Sequence, residues 1–330
     1  MTRARSQLID LNSTSYYHCI SRCVRRAFLW GEDHFTGKNY SHRKQWVIDR
    51  LTELNTIYAI DICAYAIMSN HYHLVLRVNA NEADNWPESE IIERWSKLFN
   101  LPLLVKRYQG GKTSAAENIE ALKLIKSWRE RLHDISWFMR SLNEYLARKA
   151  NREDNCKGRF WEGRFKSQAL LDEKALLTCM SYVDLNPIRA GIAVTPEESD
   201  FTSIQQRIHQ WRAQTTQEKG KHSTPGIMAL KPMSQTHIHK IEFEAIDYLQ
   251  LVDWAGRAIR EGKRGYIPAN VPPILARLNI EPQAYLKQLH STKNRLSLPV
   301  ALGSAKALLE FANRHGRKFL RNVKTFQACT

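Results

Sequence analysis

The sequence has no run of about 18 consecutive apolar residues, the length that a helix needs to cross a bilayer. It also has no apolar signal core near its start, because the basic stretch from Met1 to Arg5 leads into polar residues. These two absences exclude a transmembrane helix and favour a location in the cytoplasm.

Closely spaced cysteine pairs of the C-x-x-C type are absent as well. In a reducing cytoplasm, scattered cysteines are free thiols more often than disulfides or zinc ligands. The sequence therefore predicts free thiols at all six positions, which are Cys19, Cys23, Cys63, Cys156, Cys179 and Cys329.

Acidic residues are too few to balance the basic ones. Lys and Arg number 49 and Asp and Glu number 33, so the formal net charge is +16. A surface that neutralises phosphates gains affinity from counterion release, whereas a metabolic enzyme has no need of such an excess. Composition favours nucleic acid as the partner, with an anionic membrane surface second. The apolar content of 43% supports a folded core and excludes global disorder.

Hydrophobic periodicity predicts the order β-α-β-β, a helical insertion, and then β-α. This is the element content of an α+β, ferredoxin-like antiparallel sheet with helices on one face. The predicted strands are 15–25, 59–68, 71–79 and 157–171, and the predicted helices are 44–58, 89–108, 117–150 and 172–185, with the insertion at about 82–130.

Composition divides the chain into an N-terminal domain (1–211), a polar linker (212–240) and a mostly helical C-terminal extension (241–330). Residues 290–330 contain eight Lys and Arg against one acid, Glu310. This charge predicts that the extension is an accessory DNA-binding or assembly element. The alternative is a solvated helix that covers the core. Five of its basic residues recur at helical spacing, namely Arg314, Arg317, Lys318, Arg321 and Lys324.

The first candidate site is His71-Tyr72-His73 on the predicted hairpin. Side chains alternate along a strand, so both imidazoles point to one face and Tyr72 to the other. Two such imidazoles can converge on a divalent ion if a third ligand arrives from elsewhere. The alternative is a pair of half-exposed histidines without a ligand.

The second candidate site is Tyr182 with Asn186, one helical turn apart near the end of a predicted helix. A phenol can attack a phosphodiester when a metal neutralises the developing charge, and the Asn186 oxygen can join that metal. Alternatively, Tyr182 packs on the sheet and Asn186 caps the helix. Tyr145 also lies on a helix, but position 149 is Lys149 rather than a carboxamide, so it is rejected as the nucleophile.

The segment from Lys157 to Lys166 interleaves basic and aromatic side chains. Cations can contact phosphates while rings stack on unpaired bases, so the segment is typical of a DNA surface. The alternative is a strand whose rings are core and whose charges are solvated, and a mixture of the two is expected. The predicted DNA-binding residues are Arg159, Trp161, Arg164 and Lys166.

Three segments in this order resemble the HUH-type single-tyrosine transposases, and in particular the REP-associated tyrosine transposases. They are AIMSNHYHLVLR (66–77), GRFWEGRFKS (158–167) and YVDLNPIRAG (182–191). The resemblance implies a metal site of His71, His73 and Asn186 that holds Mg²⁺ or Mn²⁺. It also implies that Tyr182 attacks single-stranded DNA and leaves a 5′-phosphotyrosine and a free 3′-OH.

The implied partner is single-stranded or hairpin DNA in the bacterial nucleoid, with DNA transposition as the outcome and no membrane contact. The resemblance leaves open whether the chain acts alone or as a homodimer. One alternative is a catalytically lapsed regulator that recognises hairpin DNA or RNA. Another is a metal-dependent hydrolase of a small substrate, which does not explain the charge of +16.

Overall fold

A computed structural model describes residues 8–24, 31, 37–193, 195–216, 226–227, 229–231, 240–258 and 301–315. Its strands are β1 (Tyr16–Arg22), β2 (Ile60–Ile67), β3 (His71–Val78), β4 (Lys166–Leu170), β5 (Ala229–Lys231), β6 (Lys240–Glu244) and β7 (Ala301–Leu302). Its helices are α1 (His42–Ile57), α2 (Ala80–Asn85), α3 (Glu88–Ser96), α4 (Leu103–Gln109), α5 (Ala115–Leu132), α6 (Ile135–Glu153), α7 (Glu173–Asp184), α8 (Asn186–Arg189), α9 (Ser203–Thr216), α10 (Ala245–Ala258) and α11 (Ala305–Arg314).

The main sheet has the strand order β2-β3-β1-β4-β7. The first four strands pair antiparallel in the order expected of a ferredoxin-like sheet, with β2 and β3 joined as a hairpin. The predicted α+β class is therefore confirmed. The fifth strand, β7, pairs parallel with β4 in a region that the sequence predicted to be mostly helical.

Helices lie on both faces of this sheet, whereas the sequence predicted them on one. Helices α1 and α6 pack together on one face, where the buried Arg43 of α1 donates to Glu153 and Asp154 at the end of α6. Helix α7 packs against β2, β3 and β4 on the other face. Most of α7 is buried all round because α10 covers its outer side, and such a helix belongs in the middle of a layered core.

The insertion between β3 and β4 consists of helices, but they are shorter than the sequence predicted. The predicted helix 89–108 is divided at Pro102, which precedes α4. The predicted helix 117–150 is divided into α5 and α6, and Asp134 caps the start of α6 by accepting from the Trp137 amide. Ser114 and Glu117 form a capping box at the start of α5.

The predicted strand 157–171 is extended in a ladder only from Lys166 onward. Its first half is irregular, since Gly158 adopts a φ of 129° that interrupts a regular strand. An isolated β-bridge between Cys23 and Trp161 and a hydrogen bond from the Glu162 backbone N–H to the Arg22 carbonyl hold this half against the end of β1. Asp172 caps α7 as predicted, by accepting from the Ala175 amide.

The described C-terminal residues pack on the sheet domain. Tyr248 of α10 donates to the buried Asp184 of α7 at 2.5 Å, and the Ser304 amide donates to Asp172 at 2.6 Å. Within the predicted linker, α9 continues to Thr216 and β5 pairs with β6. Of the predicted basic face, Arg314 donates to the Asn12 carbonyl, and the other four residues lie outside the described part of the chain.

Two further expectations concern the whole described chain. No helix in the described ranges is long and apolar enough to cross a membrane. Five cysteines are free thiols as predicted, and Cys329 lies outside those ranges.

Candidate functional site

Strand β3 presents His71 and His73 on the face of the sheet that α7 covers, with ring centroids 5.0 Å apart. Tyr72 points to the other face, where its hydroxyl donates to the Asn143 side chain of α6 at 2.6 Å. Alternation along the strand and the buried anchor of Tyr72 together hold the two imidazoles side by side.

Helix α7 brings Tyr182 to the same place. The Tyr182 ring lies edge-on to the His73 ring with centroids 5.6 Å apart. Tyr182 comes from the last turn of α7, which the sheet and α10 hold in position. The structure therefore brings together three of the predicted site residues, His71 and His73 from β3 and Tyr182 from α7.

His18 of β1 is a fourth member that the sequence analysis did not identify. Its Nε2 lies 2.9 Å from Nδ1 of His73, and the two rings are within 16° of coplanar, as an in-plane hydrogen bond requires. Both side chains are buried, with 1% and 3% exposure. Nε2 of His73 has no hydrogen-bond partner among the described residues. His18 and Ile20 lie on the same face of β1, and Ile20 pairs with His73. Strand alternation was therefore the signal in the sequence that could have identified His18.

His71 is anchored in a similar way. Its Nδ1 lies 2.6 Å from Oδ1 of Asn70, and a carboxamide oxygen can only accept, so Nδ1 carries the proton. The neutral ring then has its lone pair on Nε2. If Nδ1 of His73 donates to His18, the lone pair of His73 is likewise on Nε2. Anchoring of one ring nitrogen leaves the other as a ligand, which is the usual arrangement of metal-binding histidines.

All three imidazoles are neutral near pH 7. Burial, together with the nearby positive charge of Arg22, lowers the pKa of His71 to about 4. Burial also lowers the pKa of His18 to about 4 and that of His73 well below its ordinary value. Neutral imidazole is the form that binds a metal, so the protonation state of His71 and His73 suits them to hold a divalent ion.

Asn186 follows α7 and acts as its cap. Its Nδ2 donates to the Tyr182 carbonyl at 2.9 Å, which is the alternative that the sequence left open for this residue. The amide oxygen is the atom that remains as a ligand. Among the described residues, no group of three or more His, Cys, Asp and Glu side chains could hold a metal ion. A third ligand therefore has to be an oxygen of another kind, from Asn186, water or substrate.

Two arginines that the sequence analysis did not single out flank Tyr182. The Arg189 guanidinium carbon lies 4.7 Å from the centroid of the Tyr182 ring. Arg22 is exposed and pairs with His71 across the β1–β3 ladder. Burial raises the pKa of Tyr182, while Arg189 and Arg22 oppose this rise. The two cations make the surroundings of the phenol favourable to an anion.

The four predicted DNA-binding residues differ in their contacts within the structure. Arg159 donates to the carbonyls of Trp161 and Glu162, and so holds its own loop. The Trp161 indole donates to the Asn143 carbonyl and packs edge-on against Tyr72. These contacts match the structural alternative for the segment, as does burial of its two phenylalanines, Phe160 and Phe165.

Arg164 and Lys166 are exposed. Lys166 pairs with Ile20 on β1, and Ile20 in turn pairs with His73, so Lys166 lies on the face that carries the histidines. Of the four predicted residues, Lys166 is therefore the one that the ladder places toward the candidate site.

Tyr145 of α6 lies on the opposite side of the sheet from the histidines. Its ring contacts the Arg50 guanidinium of α1 at 4.7 Å, and its hydroxyl accepts from Lys149 at 3.3 Å. The sheet separates it from His71 and His73, which agrees with its rejection as the nucleophile.

No protein-family model matches the sequence, and no curated protein matches it. A solved structure of a REP-associated tyrosine transposase bound to a REP hairpin is similar at 12% sequence identity and a TM-score of 0.36, over 63% of this chain and 86% of that chain.

Proposed function

We propose that this chain is a divalent-metal-dependent enzyme that cleaves and rejoins single-stranded DNA through Tyr182. The observation that carries the proposal is the meeting of His71, His73 and Tyr182 on one face of the sheet, with the His73 and Tyr182 rings 5.6 Å apart. The net charge of +16 supports a nucleic acid substrate over a small molecule.

His71 and His73 would hold the ion through their Nε2 atoms, and the Asn186 oxygen would complete the protein ligands. Mg²⁺ or Mn²⁺ would suit a site that has no thiolate and whose remaining ligands would be oxygens of Asn186, water and the substrate phosphate. When bound, the ion supplies a Lewis acid next to the scissile phosphate. His18 would be a positioning residue, because its contact at 2.9 Å holds the plane of His73 and, if it accepts from Nδ1, leaves the lone pair of His73 on Nε2.

The chemical step belongs to Tyr182. Its phenolic oxygen loses a proton to water and forms a bond to phosphorus, and the bond from phosphorus to the 3′-oxygen breaks. The products are a 5′-phosphotyrosine and a 3′-hydroxyl that takes up a proton. The reverse attack by a 3′-hydroxyl rejoins DNA. Arg189 and Arg22 would stabilise the phenolate and the phosphate, in keeping with the way they oppose the rise in the Tyr182 pKa that burial causes.

A covalent-capture experiment tests this function. The full chain is incubated with Mn²⁺ and 3′-labelled single-stranded oligonucleotides that carry a hairpin and randomised flanks, since the 5′-phosphotyrosine retains the 3′ fragment. We expect a denaturant-resistant labelled adduct that EDTA abolishes and that His71→Ala and His73→Ala lose. The matched control is Lys126→Ala, a replacement at an exposed site, and this variant should form the adduct normally.

Two outcomes of this experiment would contradict the proposal. Tight binding of the hairpin pool without any adduct would overturn the enzymatic proposal in favour of a nucleic-acid-binding regulator. Adduct formation at the wild-type level in His71→Ala would overturn the metal site.

A further inference from the structure

A basic cleft lies on the side of the sheet that α1 and α6 cover, between these two helices and the segment that follows α3. Its volume is about 570 Å³. Five of its lining residues are cations and one is an acid, namely Arg50, Arg140, Arg148, Lys149, Arg152 and Glu144. A concave site of this size is large enough for a nucleotide-sized group.

The spacing along α6 arranges these charges as a stripe. Residues 140, 144, 148 and 152 follow one another at four-residue steps, so they share one face over about 18 Å of helix. Glu144 pairs with both Arg140 and Arg148. Arg50 is paired with Glu53 beside the cleft, so two carboxylates offset the five cations only in part, and the cleft keeps an excess of positive charge.

Aromatic side chains form the inner wall of the cleft. The half-buried Tyr145 ring lies 4.7 Å from the Arg50 guanidinium and 5.5 Å from the Lys149 ammonium group. Phe99 lines the same wall and packs edge-on against Trp137. Rings on which bases can stack, surrounded by cations that contact phosphates, characterise surfaces that bind single-stranded nucleic acid.

The cleft is separate from the candidate active site. Helix α6 contacts the sheet through Tyr72, whose side chain points away from the face of His71 and His73. A short segment bound in the cleft therefore cannot also lie beside Tyr182.

We infer that the cleft binds a second segment of single-stranded nucleic acid, with phosphates along the α6 stripe and a base against Tyr145. The inference rests on the proposed function in taking DNA as the ligand. It assigns a role to Tyr145, which the candidate active site leaves unused.

The test compares two double variants of the full chain in EDTA, so that no cleavage occurs. Arg148→Glu with Arg152→Glu reverses charge in the cleft, and Lys123→Glu with Lys126→Glu reverses the same charge on the exposed surface of α5. The probe is a fluorescein-labelled 30-residue oligothymidylate, and the readout is its dissociation constant at several salt concentrations.

We expect the cleft variant to lose roughly tenfold more affinity than the control, and its log–log salt slope to fall by about 1.4 for two lost phosphate contacts. An oligonucleotide that carries 5-iodouracil should photocross-link to Tyr145 in the wild type. Equal losses in both variants, or cross-links only elsewhere, would overturn the inference.

Failure of this inference is distinguishable from failure of the proposed function. If Tyr182 forms an adduct and the two double variants bind alike, the cleft assignment is wrong and the enzyme assignment stands. If no adduct forms and only the cleft variant binds weakly, the cleft assignment stands and the enzyme assignment is wrong.

Discussion

The two ring nitrogens of His73 have different surroundings. Nδ1 contacts His18, and Nε2 is buried without a partner among the described residues. A buried polar atom left without a hydrogen bond costs about 1–3 kcal/mol, and such atoms in native structures call for an explanation. A ligand at Nε2 would offset that cost, which makes His73 the most informative single residue of the candidate site.

Replacement of His18 tests whether it positions His73. His18→Leu removes the partner of Nδ1 with a side chain of comparable size, whereas His18→Gln keeps an oxygen that can accept from it. We expect affinity for Mn²⁺, measured by electron paramagnetic resonance of the free ion, to fall about 10- to 100-fold in the leucine variant. The glutamine variant should recover most of that affinity.

Thermal unfolding without metal is the control for this pair of variants. A purely structural role would lower the unfolding temperature and leave Mn²⁺ affinity unchanged. Unchanged affinity in His18→Leu would contradict the positioning role.

At the scale of elements, the buried Arg43 of α1 forms ion pairs with two partly buried carboxylates at the end of α6, Glu153 and Asp154. Arg43 is only 1% exposed, and its Nε donates to Glu153 at 2.5 Å. Its guanidinium also contacts Asp154 and lies 4.2 Å from the Tyr40 ring. Because α6 carries both the anchor of Tyr72 and the basic cleft, this pair supports both candidate sites.

Arg43→Ala should lower the free energy of unfolding by about 3 kcal/mol, because it leaves partly buried carboxylates without their partner. Urea denaturation measures the change. Arg148→Ala, which removes an exposed partner of Glu144, is the matched control and should change stability by less than about 1 kcal/mol. Similar values for the two variants would show that the Arg43 pair does not join the helices.

Features confined to one element could be predicted from the sequence. Strand alternation predicts that His71 and His73 share a face, and helical spacing predicts that Tyr182 lies one turn from Asn186. The approach of His18 to His73 could not be predicted in this way, since these residues are 55 positions apart and meet only through the β1–β3 register. The cleft likewise depends on how α6 packs on α1.

At the scale of the whole molecule, the C-terminal residues complete the core behind the candidate site. Tyr248 of α10 donates to Asp184, a fully buried carboxylate that also accepts from Ser203 and the Ile204 amide. Asp184 lies between Tyr182 and Asn186 in the chain. These contacts indicate that α10 holds the end of α7 in place. Helix α10 lies beyond residue 211, where the sequence predicts the end of the N-terminal domain.

Tyr248→Phe should reduce stability by about 1–3 kcal/mol, because it removes a hydrogen bond from a buried carboxylate and changes little volume. Tyr108→Phe is the matched control, since its hydroxyl donates to Glu88 at an exposed site. Urea denaturation of both variants measures the difference. Equal stability of the two variants would mean that α10 does not support α7.

The most direct test of the account identifies the residue that bears the DNA in the covalent adduct, by mass spectrometry of the trapped complex. We predict that the DNA is attached to Tyr182, that Tyr182→Phe binds DNA but forms no adduct, and that Tyr145→Phe still forms it. Phenylalanine preserves the packing of the ring, so loss of the adduct reports on the phenolic oxygen. DNA attached to Tyr145 or Tyr72, or an adduct formed by Tyr182→Phe, would contradict the account.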